Sequence, residues 1–485
     1  NKLCKKAVNK KKIFSLYTAK PVEFGEKKRS EFFWLLKAKI KFSDVLVLFN
    51  RPHVPITKKI AELMDEMGMR YVSSKEAAAV DGIEIWRSGA LYGKMKNELL
   101  KKLFFKVFVK KLSILDVFGV SIYMNFVYYL IQYAWWKDFF QENNICINFC
   151  VSVFPKESIP MNAAMADCGG INITYQYSNI EVDSVHYSTI SDVIFLWGPE
   201  YRRYFQNNAS MISYYVNTGF ITDYCFKNVK EYAQRERNRL KKRGANFIIC
   251  YFDENSSYSK MDLISNNRSF KIYKRLIEFC IDHKDIGLIC CPKFPKTLED
   301  RMPGITSKIE VAEKTGRFII KSGNHHADDY PAASALSADL AIGLLIGGTT
   351  VLESVLAGTP TVFLDLEKLY FYKVYNRGRN KTVFDNIEEL LRKVISIKKK
   401  PDKEFGNLSE WVRMKDSYHD GNASLRIGTY IRNIYNLLGK GLSRTEALEN
   451  ANSKYVKEWG KENLFDAAKL KSDEEQNSLH SNEDV

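Results

Sequence analysis

The chain lacks a cysteine framework, a membrane-spanning run, a strand followed by an acidic metal pair, and any internal repeat of fixed period. Its nine cysteines (Cys4, Cys146, Cys150, Cys168, Cys225, Cys250, Cys280, Cys290, Cys291) are an odd count without framework spacing, several of them in apolar strand-like runs. They read as buried free thiols of a reducing compartment, and Cys146 with Cys150 lacks the second pair that a zinc site needs. No secretory signal is visible in a chain that begins at Asn1. The longest nearly uncharged stretch, 118–136 (FGVSIYMNFVYYLIQYAWW), carries Asn125, Gln132 and several tyrosines, which predicts a buried or interfacial helix and not a span. No Asp-x-Asp pair follows a strand, Asp328-Asp329 falling in a loop, so neither a metal nor another cofactor is expected. These absences predict a cytoplasmic protein.

What is present begins with charge. Lys and Arg number 73 against 57 Asp and Glu, a net +16 that calls for a partner or a surface. Lysine is densest at 94–111 (KMKNELLKKLFFKVFVKK), where Leu99, Leu100, Leu103, Phe104, Val107 and Phe108 recur at helical spacing. Such a helix can lie on an anionic membrane at the inner face, or pack on its own domain with its lysines reaching out to water. No helix-turn-helix, finger, RNP or KH pattern accompanies the charge, so nucleic acid is not expected as a partner.

At 485 residues and 45% apolar content the chain is long enough for two globular domains. Strand-like runs at 44–49, 69–73, 145–153, 171–176 and 192–197, with helical segments at 55–67 and 159–167, give a first α/β alternation over 1–225. A charged helix at 230–243 reads as an interdomain link within 226–244. A second alternation over 245–404 places strands at 246–252, 287–291, 317–321, 340–346 and 361–364. Helical segments within 405–460 follow, and 461–485 has the composition of a disordered acidic tail. Both alternations imply parallel, doubly wound sheets.

The most informative stretch is 339–365 (DLAIGLLIGGTTVLESVLAGTPTVFLD). An apolar strand meets a turn at Gly347-Gly348, Thr349 and Thr350 can cap the helix that follows, and Gly358 with Pro360 ends it before a second buried strand. A strand, a glycine turn and a helix N-terminus make an anion site at the strand's carboxyl edge. Glu353, one turn in, is placed to accept hydrogen bonds from ribose hydroxyls. The same pattern also serves as an ordinary βα turn.

The unit resembles the donor half of two-domain GT-B glycosyltransferases, with Gly348, Thr349, Thr350, Glu353, Gly358 and Pro360 matching. The segment 163–178 (AAMADCGGINITYQYS) resembles a landmark of GT-B proteins of bacterial and archaeal surface-polysaccharide (capsule, O-antigen) biosynthesis. Tyr177-Ser178 stands where that group has His-Gly. DVIFLWG at 192–198, Thr218-Gly219 and DGNASLRIG at 420–428 resemble its other landmarks. The resemblance implies two Rossmann-like domains facing a cleft. Nucleotide-sugar would sit on the second domain, and a glycan or lipid-linked acceptor on the first.

On that reading the helix N-terminus with Gly348, Thr349 and Thr350 holds the leaving phosphates, helped by Lys293 and Lys296, whose loop equally reads as solvated. His325 or His326 contacts the donor near its base. The general base is sought among Glu181, Asp183 and His186, in a loop leaving a strand toward the cleft. Leu345 stands where many retaining GT-B enzymes carry a second glutamate, which favours inversion. A non-hydrolysing UDP-sugar 2-epimerase and a catalytically inactive scaffold of the same fold are the competing readings.

Overall fold

The computed structural model describes residues 12–16, 33–49, 68–73, 117–150, 155–208, 210–254, 264–321 and 331–469, with positions 62, 64, 66 and 256. Segment 94–111 and His325-His326 therefore lie outside the described residues, as does most of 55–67.

Seven parallel strands build the first sheet: β1 (Lys12–Leu16), β2 (Val45–Phe49), β3 (Arg70–Ser73), β4 (Ile145–Cys150), β5 (Ile171–Tyr175), β6 (Ile190–Leu196) and β7 (Met211–Asn217). They lie in the order β3-β2-β1-β4-β5-β6-β7. The second sheet holds β8 (Phe247–Phe252), β9 (Ile286–Cys291), β10 (Phe318–Ile320), β11 (Leu340–Leu344), β12 (Thr361–Leu364) and β13 (Val383–Phe384). Its order is β10-β9-β8-β11-β12-β13, again all parallel. Strands β5, β9 and β11 are buried at every position, as expected of strands covered on both faces.

The two domains thus repeat one winding. The first strand is central, the next two extend to one side, and the fourth returns to its other flank. This reversal creates a crevice at the carboxyl ends of β1/β4 and of β8/β11. The chain is a GT-B fold of two such domains.

After β13 the chain returns to the first domain. Helix Ala423–Gly439 packs on helix Phe33–Ala38 so closely that a Cβ on Gly428 would lie 2.5 Å from the Trp34 carbonyl oxygen. Arg426 is buried, pairs with Asp420, donates to the Thr218 carbonyl at 3.2 Å and stacks on Tyr418 and Trp459. Gly421 N donates to Asp223 at 2.9 Å, and Ser424 to the Ile221 carbonyl at 2.8 Å. The 420–428 motif is therefore a docking device for the returning chain.

One boundary differs from the sequence reading. Residues 464–466, assigned to a disordered tail, form β14 (Leu464–Asp466), antiparallel to β7, with Arg202 stacked on Phe465 at 4.1 Å. The acidic average of 461–485 concealed a short apolar strand that covers an open sheet edge. The linking helix, Lys230–Lys241, is fastened to the second domain by Lys321–Glu236 at 2.5 Å and by Arg237–Asp339. The uncharged stretch is one helix, Val117–Glu142, and among the described residues no helix is long and apolar enough to cross a membrane.

Candidate functional site at the facing sheet edges

The carboxyl edges of the two sheets meet where Asn179 N, in the loop after β5, donates to Thr349 Oγ1, in the turn after β11, at 3.0 Å. Both glycines of that turn are dictated by their surroundings. Gly347 has φ +100° and runs so close to Glu254 that a Cβ would lie 2.5 Å from its carboxylate. Gly348 has φ +43°, and a Cβ there would lie 2.6 Å from Asn179 Nδ2.

Helix Thr349–Leu356 starts at this point with Gly348 as its N-cap and no side-chain cap. The expected threonine cap is thus replaced. Thr349 and Thr350 are the first two helical residues, and Thr349 Oγ1 donates to the Gly347 carbonyl at 3.2 Å while it accepts from Asn179. The left-handed glycine turns the chain into the helix without placing a side-chain acceptor on its first N–H groups. The first N–H groups of a helix have no acceptor within it; that of Thr349 is taken by the Gly347 carbonyl, and the helix begins beside the β8/β11 switch point.

Two acids and a lysine line the same crevice. Lys293, after β9, pairs with Glu254, after β8, and its own backbone N–H donates to Asp253. Burial works against the Lys293 charge, but Glu254 outweighs it and raises the pKa. Asp253 is buried; it accepts from Tyr273 at 3.0 Å, with Arg301 3.8 Å away. Burial pushes its pKa up to about 7 despite these donors. Sequence reasoning passed over Asp253 and Glu254, although an acid directly after an apolar strand was the available signal. Lys296 is exposed in the turn Pro295–Thr297.

Glu353 lies one turn into the helix and is 1% exposed. Its Oε1 accepts from Ala332 N at 3.1 Å, at the start of helix Pro331–Leu336. It therefore ties this helix to the one that follows 322–330, the segment holding His325 and His326.

On the first-domain side, Gln176 is fully buried, donating to the Ser178 carbonyl at 2.9 Å and accepting from Trp197 N at 3.2 Å. Asn179 Nδ2 donates to Glu181 at 3.0 Å, and its Oδ1 accepts from Tyr201 at 2.7 Å. Glu181 turns inward to Lys415 at 3.0 Å. Lys415 is wholly buried, pairs also with Glu200 at 3.2 Å, and lies over the Tyr201 ring at 4.6 Å. Asp183 faces the surface and accepts from Asn207 at 3.1 Å. His186 is in the short turn Val185–Tyr187. The structure thus separates Glu181 from Asp183 and joins Glu181 to Asn179, Glu200 and Lys415, which sequence reasoning missed.

A cavity of about 460 Å³ lies elsewhere, at the far end of helix Thr349–Leu356, between Val355, Pro360, Phe405, Val412, Arg413 and His419. None of the carboxyl-edge residues lines it.

No family model and no curated protein sequence matches this chain. Solved structures of similar course include a trehalose-phosphate synthase (UDP-forming) from Burkholderia vietnamiensis, at 9% identity and TM-score 0.49, covering 89% of this chain and 99% of that one. HepE from Anabaena, solved with UDP and glucose, is 10% identical with TM-score 0.47, covering 88% and 99%. A Listeria monocytogenes protein named as a candidate UDP-N-acetylglucosamine 2-epimerase is 12% identical with TM-score 0.49, covering 88% and 97%.

Proposed function

We propose that the protein transfers a sugar from a nucleotide-sugar to a glycan or glycolipid acceptor, within surface-polysaccharide synthesis and with inversion. The observation that carries this reading is the Gly347-Gly348 turn opening helix Thr349–Leu356 at the β8/β11 switch point, with Lys293 beside it. The helix N-terminus and the Thr349 and Thr350 hydroxyls receive the diphosphate. Lys293 leaves Glu254 to meet the charge that develops as the sugar departs. The buried Leu345 supplies no second carboxylate to the donor side, in keeping with inversion.

The acceptor base belongs to the loop after β5. Glu181 positions that loop through Lys415, which leaves Asp183 and His186 to take the proton. Glu353 serves the ribose from its place between two helix starts, and His325 and His326 follow it toward the base.

A second reading, a nucleotide-sugar epimerase, draws on Asp253, a carboxyl able to exchange a proton near neutrality, next to Glu254 at the same crevice. Incubation with labelled UDP-, GDP- and CMP-sugars separates the two. Nucleotide release that requires a glycan or glycolipid acceptor supports transfer, and interconversion of the free donor supports epimerisation. Failure to bind any nucleotide would sink both and leave a scaffold role.

A further inference from the structure

The cavity at the far end of helix Thr349–Leu356 takes no part in the crevice chemistry. Its volume of about 460 Å³ falls within the ~300–1,000 Å³ of small-molecule pockets, and Val355, Pro360, Phe405, Leu408 and Val412 give it an apolar wall. It lies where the chain leaves the second domain for the first. Helix Ser409–Lys415 borders it with Val412 and Arg413, while Lys415 of the same helix pairs with Glu181 in the first domain.

The polar character of this cavity is one-sided, because its acceptors are taken. Helix Thr349–Leu356 ends here, and each of its last four carbonyls already has a donor. Ala357 N donates to the Glu353 carbonyl at 2.9 Å, Thr359 N to that of Ser354 at 3.0 Å, and Gly358 N to that of Val355 at 2.9 Å. The fourth donor is a side chain. His419 Nε2 donates to the Leu356 carbonyl at 2.7 Å, from a backbone held at φ +47°. Asp416 is buried, and its carboxylate accepts from Phe220 N at 3.2 Å, Tyr418 N at 2.9 Å and His419 N at 3.0 Å. The Gly406 carbonyl accepts from Thr361 N at 3.0 Å.

The donors, by contrast, are open. Lys403 and Arg413 line the cavity and are exposed, and neither side chain has a hydrogen bond or ion pair among the described residues. An apolar wall with two uncommitted cations at its rim is complementary to an apolar body that carries a negative group. The guanidinium fork suits a carboxylate, phosphate or sulfonate. We infer that this cavity is a second ligand site, which takes a small amphipathic anion. The apolar body lies against Phe405 and Val412, and the negative group meets Arg413 and Lys403. The inference stands apart from the proposed chemistry, since it concerns a different part of the molecule and its test needs no nucleotide.

The test is a fluorescence titration of the full chain with two dyes. Anilinonaphthalene sulfonate is an apolar body with one anionic group, and phenylnaphthylamine is the same body without it. The sulfonate should saturate one site, bind about tenfold or more tighter than the neutral dye, and weaken as salt is raised. Arg413→Glu should lose about tenfold or more for the sulfonate and leave the neutral dye unchanged. Ser409→Trp, which fills the cavity from an exposed lining position, should lose both dyes. Both substituted positions are exposed, so thermal midpoints should stay put. Sulfonate that binds Ser409→Trp as it binds wild type overturns the site. A neutral dye bound as tightly as the sulfonate, or an Arg413→Glu variant that binds the sulfonate unchanged, overturns the anionic ligand. Wild-type protein that binds neither dye saturably overturns the inference outright.

Discussion

The backbone N–H of Asn179 in the first domain donates to the Thr349 hydroxyl in the second, at 3.0 Å. The residue expected to touch the donor phosphates is thus the residue through which the domains touch each other. Thr349→Val keeps the shape but removes the hydroxyl. Titration calorimetry with UDP should show affinity reduced by up to about tenfold, the worth of one hydrogen bond, with Thr349→Ser close to wild type. Equal affinities for Val and Ser would remove Thr349 from the phosphate site.

Lys415 is a buried cation between Glu181 and Glu200. Lys415→Met leaves two buried carboxylates uncompensated and should cost about 3–5 kcal/mol in urea unfolding. Glu181→Gln should cost less, because Glu200 still answers the charge. Were Glu181 itself the base, Glu181→Gln would abolish turnover at unchanged stability, and that outcome would overturn its assignment to positioning.

Asp253 predicts a pH dependence of definite sign. Burial raises its folded-state pKa from 3.8 to about 7, so between these values the folded protein binds more protons than the unfolded chain. Its contribution is fully present below about pH 4 and is lost as pH rises through 7, a change of up to ~4 kcal/mol. Asp253→Asn should abolish that slope. Denaturant midpoints at pH 5 and pH 8 that move in parallel for wild type and variant would count against it.

Gly347 and Gly358 both sit at positive φ, but only Gly347 has a neighbour where a Cβ would be. Gly358→Ala should lose only about 1–2 kcal/mol of stability from backbone strain. Gly347→Ala adds displacement of Glu254, and with it Lys293, so UDP binding should fall well below that of Gly358→Ala. Similar UDP affinities in the two variants would refute a phosphate site at this turn.

The donor-side unit was legible because its signals are local. Strand 361–364 is where the sequence placed it, and β11 ends two residues early, since apolar runs punctuated by glycine leave little choice. Strand β7 escaped because Met211 and Ser213 are exposed and break its apolar pattern, and β1 because it is a short segment in a lysine-rich region. The helix Pro331–Leu336 is made of small residues with no periodic contrast. The other half of the site was hidden for a different reason. Lys415 reaches the Ile180 carbonyl across 235 residues of chain, and only the return of the C-terminal helices brings them together.

That return also sets an order of assembly. Helix Ala423–Gly439 lies on Phe33–Ala38, and β14 closes the edge of β7. On the ribosome, the first domain to be synthesised must therefore wait for its last strand until the second has been made. The second sheet, whose strands all fall between residues 247 and 384, can close earlier. The domain begun first is the one completed last, and its unfinished edge is the surface that chaperones would meet during synthesis.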